Sequence, residues 1–195
     1  MLFGFCNNVS PVFLITYFLT LHLKHPEKAG ITVSFLYIIP AFVCLMAFFF
    51  CGSSFSLREK KTSSPVLSLA LLDACLQDAL SVLLKLGGYI ILFSVLSNVI
   101  THIPRIRAES AAFFSCFLEI TGGIPAVTAA FAYPQSYVIL LPFLAFGGLC
   151  SFMQTGSVIK DTPLSLRSYF FTKILLALLI FLCEILCITL LPGLF

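Results

Sequence analysis

Apolar runs separated by short polar stretches make up most of this chain, and the length of each run sets what it can form. Val9 to Leu23 is apolar but rises only about 22 Å as a helix, short of the roughly 30 Å of a bilayer core. It closes on the polar turn "HLKHPEKAG" and is expected to be part of a helix. Gly30 to Cys51 is long enough to span, with Pro40 read as a kink and not a stop. Residues 52–64 then form a basic polar linker within "GSSFSLREKKTSSP". From Val66 to Lys85, polar Asp73, Gln77, Ser81 and Lys85 recur every four positions with Asp78 beside them. This spacing predicts an amphipathic helix, either lying at a membrane interface or turning its polar face to a cavity. Gly87 and Gly88 lead into a spanning helix, "YIILFSVLSNVI", which ends at the loop "THIPRIRAES".

Two later runs interrupt themselves. Ala111 to Thr121 rises only about 16 Å before Gly122, Gly123 and Pro125, and Ile124 to Tyr133 adds about 15 Å before the turn "YPQS". These lengths predict a re-entrant hairpin over residues 111–133. Its opened backbone must be buried in protein or line a wet cavity, because an unmet polar group in lipid is costly. Residues 135–158 repeat the device, with a break at Gly147–Gly148 and Gln154 set in apolar surroundings. A final apolar run, 169–191, is a full crossing that carries Lys173 near its start and Glu184 inside.

Composition supports a bilayer as the solvent: 60% of residues are hydrophobic, 10% are charged and mean hydropathy is +1.11. The 22 Phe exceed what one soluble core of this length would hide. The opening "MLFGFCNNVSPVF" lacks the basic start and cleavage site of a signal peptide and is kept in the mature chain. The eight cysteines show no CxxC pair and read as small apolar side chains, Cys183 and Cys187 included, not as disulfides or a metal site. "NVS" at Asn8 matches a glycosylation pattern, but beside an apolar run it is read otherwise. The net charge of +3 suits anchoring at a membrane more than nucleic-acid binding. Arg58, Lys60, Lys61, Lys160, Arg167 and Lys173 fall on one side of this layout and Lys24, Lys28, Arg105 and Arg107 on the other, which weakly favours the first side as cytoplasmic. No nucleophile–base pair, metal cluster or phosphate loop is evident, so an enzyme is not expected.

Three strings, "GGYIILFSVLSNVI", "FLEITGG" and "FGGLCSFMQTGSVIKDTPLSLRSYFFTKIL", together resemble the later part of the YlbJ-type sporulation integral membrane proteins, in the nucleoside-recognition (Gate) domain group. The opening "FCNNVSPVFLI" is similar to an Asn-rich interrupted helix late in that family's first half. The resemblance implies an all-α membrane protein, a helical bundle with a re-entrant hairpin and interrupted transmembrane helices, forming part of an inverted-repeat transporter fold. Residues 1–51 would then end a first repeat and residues 65–195 form the second. By motif position, Asn7 and Ser10 match the first interrupted helix, Glu119, Thr121 and Gly122 the hairpin tip, and Gly148, Ser151 and Gln154 the second interrupted helix. Cys150 stands where the family commonly has a small polar residue. The family's amino-terminal helices and first hairpin, with its Gly-Tyr-Pro motif, have no counterpart here. A longer reading frame, a partner chain supplying the missing repeat, or a degenerate remnant would account for that.

On this reading the breaks at Gly122–Gly123 and Gly147–Gly148 offer N–H groups to a small anion's carboxylates and carbonyls to Na⁺ or a proton carrier. Glu119 would accept a hydrogen bond from substrate or titrate as a coupling proton site; alternatively it caps its own hairpin tip or pairs with an arginine. Gln154 and Asn7 would supply amides. Glu184 belongs either to a pathway or to a helix-packing hydrogen bond. The function implied is secondary transport of a small polar metabolite in a spore-forming bacterium, at its cell or forespore membrane, with dipicolinic acid as the leading substrate. Nucleoside or nucleobase transport is the second reading, and a non-transporting membrane scaffold is the rival from another class.

Overall fold

The computed structural model describes residues 3–50, 68–160 and 162–190, and every regular element among them is helical. The basic linker 52–64 lies outside the described residues. The elements run α1 (Phe3–Cys6), α2 (Phe13–Leu23), α3 (Pro26–Phe50), α4 (Leu69–Thr101), α5 (Ala108–Leu118), α6 (Ile120–Ala130), α7 (Gln135–Phe146), α8 (Gly148–Ile159) and α9 (Leu166–Leu190). Four stretches are long and apolar enough to cross a membrane: α3, α4, α7 with α8, and α9.

Helix α2 is wound as a π-helix, and α3 includes a π-helical turn at Ser34–Ile38 just before Pro40. Pro40 cannot donate to the carbonyl four residues back, and the wider turn absorbs that missing bond without ending the helix. The helix continues through Pro40, as expected of a proline that does not stop it.

One expected division is absent. The amphipathic segment and the crossing after Gly87–Gly88 are a single helix of 33 residues, α4, capped at its start where the Ser68 hydroxyl accepts the Leu71 N–H (3.2 Å). A Cβ at Gly87 or Gly88 would meet nothing within 4 Å, so neither glycine serves a close approach. A glycine weakens a helix by only about 1 kcal/mol, too little to break one flanked by strong helix formers. The polar stripe stays on the outer surface, where the Gln77 amide donates to Asp73 (3.1 Å).

The packed centre lies among α2, α5, α6, α7 and α9. Leu14 and Phe18 meet Cys116, Ile124, Leu140, Leu144 and Ile180 there, all essentially inaccessible. The α7–α8 stretch is the most enclosed of the four spans, with half of its most apolar window buried against 6% for α4. Helix α4 therefore turns its leucines outward, as a lipid-facing helix does, while the broken helices occupy the interior.

Candidate functional site

The first break falls three residues before the glycine pair. Glu119 adopts an extended conformation (φ −150°, ψ 119°) that ends α5 and starts α6, and Gly122, Gly123 and Pro125 lie inside α6. The expected break at Gly122–Gly123 is thus corrected to Glu119, and the reason is capping. The carboxylate of Glu119 accepts the N–H groups of Thr121 (2.8 Å) and Gly122 (2.6 Å), and its carbonyl accepts that of Gly123 (3.0 Å). A side chain that satisfies the orphan donors of a new helix favours starting it there. Pro125 leaves the Thr121 carbonyl without its helical donor, and the Tyr17 hydroxyl donates to that oxygen instead (2.8 Å). Gly123 is needed for close packing, because a Cβ there would sit 2.4 Å from the Cys116 Cα. Only glycine lets α6 fold back so closely on α5.

The second break falls where expected. Gly147 takes a left-handed conformation (φ 87°) and donates to the Phe143 carbonyl (2.8 Å), closing α7; Gly148 also has positive φ (76°). No side chain caps the start of α8. A Cβ on Gly148 would lie 3.2 Å from the Leu118 carbonyl and 3.4 Å from those of Cys116 and Phe117. The carbonyl end of α5 therefore abuts the N–H end of α8, and their opposite partial charges face each other.

Beside this junction is a cavity of about 300 Å³. Of the ten residues expected at a site, Asn7, Ser10, Glu119, Thr121, Gly147, Ser151 and Gln154 line it; Gly122, Gly123 and Gly148 do not, and serve the backbone geometry just described. Asn7 is already engaged, its amide donating to Thr155 (3.1 Å) and the Tyr169 hydroxyl (2.8 Å). Ser10 accepts from the Phe13 N–H (3.2 Å). Gln154 donates to the Cys150 sulfur (3.2 Å), a weak acceptor, and the hydroxyls of Thr121 and Ser151 have no hydrogen-bond partner among the described residues. Gln154, Ser151 and Thr121 are the groups best placed to exchange their contacts for those of a ligand.

The sequence reading missed Lys173. It counts there as a charge at the membrane boundary, yet it is 3% exposed, lines the cavity, and donates to the Asn7 carbonyl and to the Asn8 side-chain oxygen (3.3 Å). No carboxylate among the described residues pairs with it. Without Lys173 the charge bias that orients the chain becomes smaller still. A usable signal lay in its position, the eighth residue of α9, two turns inside the helix where a boundary lysine has no need to be.

The donors expected at the first break are thus not open to an anion, because Glu119 occupies them. Positive character in the cavity comes from Lys173, and the acidic group beside it is committed to a cap. No group of three or more His, Cys, Asp or Glu side chains able to hold a metal occurs among the described residues. Comparison with protein-family models, with curated proteins and with solved structures found no match for this chain.

Proposed function

We propose that this chain is a membrane transport protein, or part of one, whose cavity between the broken helices binds a small polar metabolite bearing an anionic group. The observation that supports this reading is Lys173: a buried cation whose partners among the described residues are all uncharged, the oxygens of Asn7 and Asn8 and the Tyr169 ring (6.0 Å to its centroid), facing a cavity with adaptable polar side chains. Burying an ammonium group is costly without a counter-charge, and in membrane proteins such residues usually mark a substrate or ion pathway. On this reading α5 and α6 form a re-entrant hairpin, α7 and α8 an interrupted crossing, and the two meet near mid-bilayer as in inverted-repeat carriers. The resemblance to YlbJ-type sporulation proteins makes dipicolinic acid the first ligand to test, and points to a bacterial cell or forespore membrane. A further chain segment or partner would supply the other half of the fold.

The test is direct binding by calorimetry to the full chain in lipid nanodiscs. Dipicolinate should bind to the wild type, lose binding in Lys173→Met, and weaken in Gln154→Ala. Binding of inosine in preference to dipicolinate would favour nucleoside transport instead. If neither ligand binds, and substitutions at Lys173 and Gln154 leave the protein's behaviour in cells intact, the scaffold reading replaces both.

A further inference from the structure

Glu184 is 0% exposed, and neither of its carboxyl oxygens has a hydrogen-bond partner among the described residues. It lies eleven residues beyond Lys173 on α9, about 16 Å along the axis, and lines none of the principal cavities. The helices packed on α9, namely α1, α7 and α8, carry no Asp, Glu, Lys, Arg or His. Their titratable groups are Cys6, Tyr137 and Cys150, and α9 itself places Cys183 and Cys187 beside Glu184. Across the core, Tyr17 and His22 of α2 pack on each other, and Tyr37 of α3 donates to the Val9 carbonyl. No ion pair or hydrogen bond to this carboxyl occurs among the described residues. An ionised carboxylate so placed would be very costly, and a sodium ion would need a cavity and further oxygens. A proton needs neither.

A second buried polar atom without a partner among the described residues is the Tyr133 hydroxyl. Tyr137 lies on α7, which packs on α9, and shares the core with Ile180, one turn before Glu184; its hydroxyl is 2.9 Å from that of Thr32, and its ring is 6.4 Å from that of Tyr133. The Tyr133 ring stacks on His25 (3.9 Å), whose Nδ1 is 2.7 Å from the exposed Glu27. Both side chains of this pair reach solvent, so it exchanges protons with water directly. These side-chain contacts run from the helix packed on α9 to a surface imidazole.

We propose that Glu184 is a proton-binding site, loaded from the His25–Glu27 end of the molecule through the hydroxyls of Tyr133 and Tyr137. Side-chain rotation brings successive groups into contact. Each hydroxyl passes its proton inward and takes one from the group behind it, so the net change is one O–H bond formed at Glu184 with a proton from water. The site is separate from the Lys173 cavity and does not depend on what that cavity binds.

Infrared spectroscopy of the full chain in nanodiscs of neutral lipid tests this without a transport assay. At pH 7 the wild type should show the carbonyl band of a protonated carboxylic acid that moves with ¹³C-glutamate labelling, survives Glu119→Gln and disappears in Glu184→Gln. If Glu184→Gln does not fold, the band in the double variant Glu59→Gln/Glu119→Gln still decides, since the two other glutamates, Glu27 and Glu109, have solvent-accessible side chains and exchange rapidly into D₂O. A slowly exchanging labelled band then belongs to Glu184. Exchange should slow further in Tyr133→Phe and Tyr137→Phe. Absence of the band in the wild type, or its persistence in Glu184→Gln, overturns the site; unchanged exchange in both tyrosine variants overturns the route.

Discussion

The two helix breaks open the same kind of gap and close it by different means. At Glu119 a side chain caps the new helix, and the backbone needs no unusual torsion. At Gly147–Gly148 no side chain caps α8; two left-handed glycines turn the chain and let α8 touch the carbonyl end of α5. The first solution uses up its donors, and the second depends on the absence of side chains. Electrostatics at the cavity follow from that difference. The helix start nearest the acidic residue is satisfied within the chain, so attraction for an anion rests on Lys173, reached from the side of α9.

Three sets of substitutions separate these solutions, measured as thermal stability in mild detergent. The largest effect is expected for Gly123→Ala, since its Cβ would meet backbone and sulfur of Cys116 below 3 Å. Overpacking of this kind should cost about 3 kcal/mol, whereas the matching Gly87→Ala, in open space on α4, should be neutral or stabilise by up to about 1 kcal/mol. Equal effects at both positions would mean that α5 and α6 do not pack this closely. Next, Gly147→Ala should destabilise by about 2 kcal/mol, because a Cβ is strained in the left-handed region. An unchanged melting temperature would show that the break tolerates another torsion. The smallest loss, about 1 kcal/mol, is expected for Glu119→Ala, which removes a helix cap, with Glu119→Gln falling between it and the wild type. If Glu119→Gln and Glu119→Ala are alike, the side chain's role as an acceptor for both N–H groups is wrong.

What could be read without coordinates was largely set by composition and run length. Apolar stretches of a given length must be helical in a bilayer, because only internal hydrogen bonding satisfies their backbone, and two half-length runs joined by helix breakers had to interrupt near Ala111–Tyr133 and Gln135–Val158. Seven of the ten expected site residues line one cavity for the same reason: interrupted helices bring their polar residues to the interruption.

Tertiary structure decided what local sequence leaves degenerate. Three glycine pairs look alike along the chain, yet Gly87–Gly88 continues a helix, Gly122–Gly123 begins one beside a capping glutamate, and only Gly147–Gly148 breaks one. A glycine permits a positive φ without demanding it, so the outcome depends on which backbone comes close: none at Gly87, Cys116 at Gly123, and the carbonyls of α5 at Gly148. The same holds for charge. Lys173 and Glu184 share one face of α9, and sequence shows only that both lie on an apolar helix. Packing gave Lys173 the oxygens of Asn7 and Asn8 from more than 160 residues away and gave Glu184 no partner among the described residues. Partners so distant in the chain are brought together only by the fold, because it alone determines which surfaces are removed from solvent.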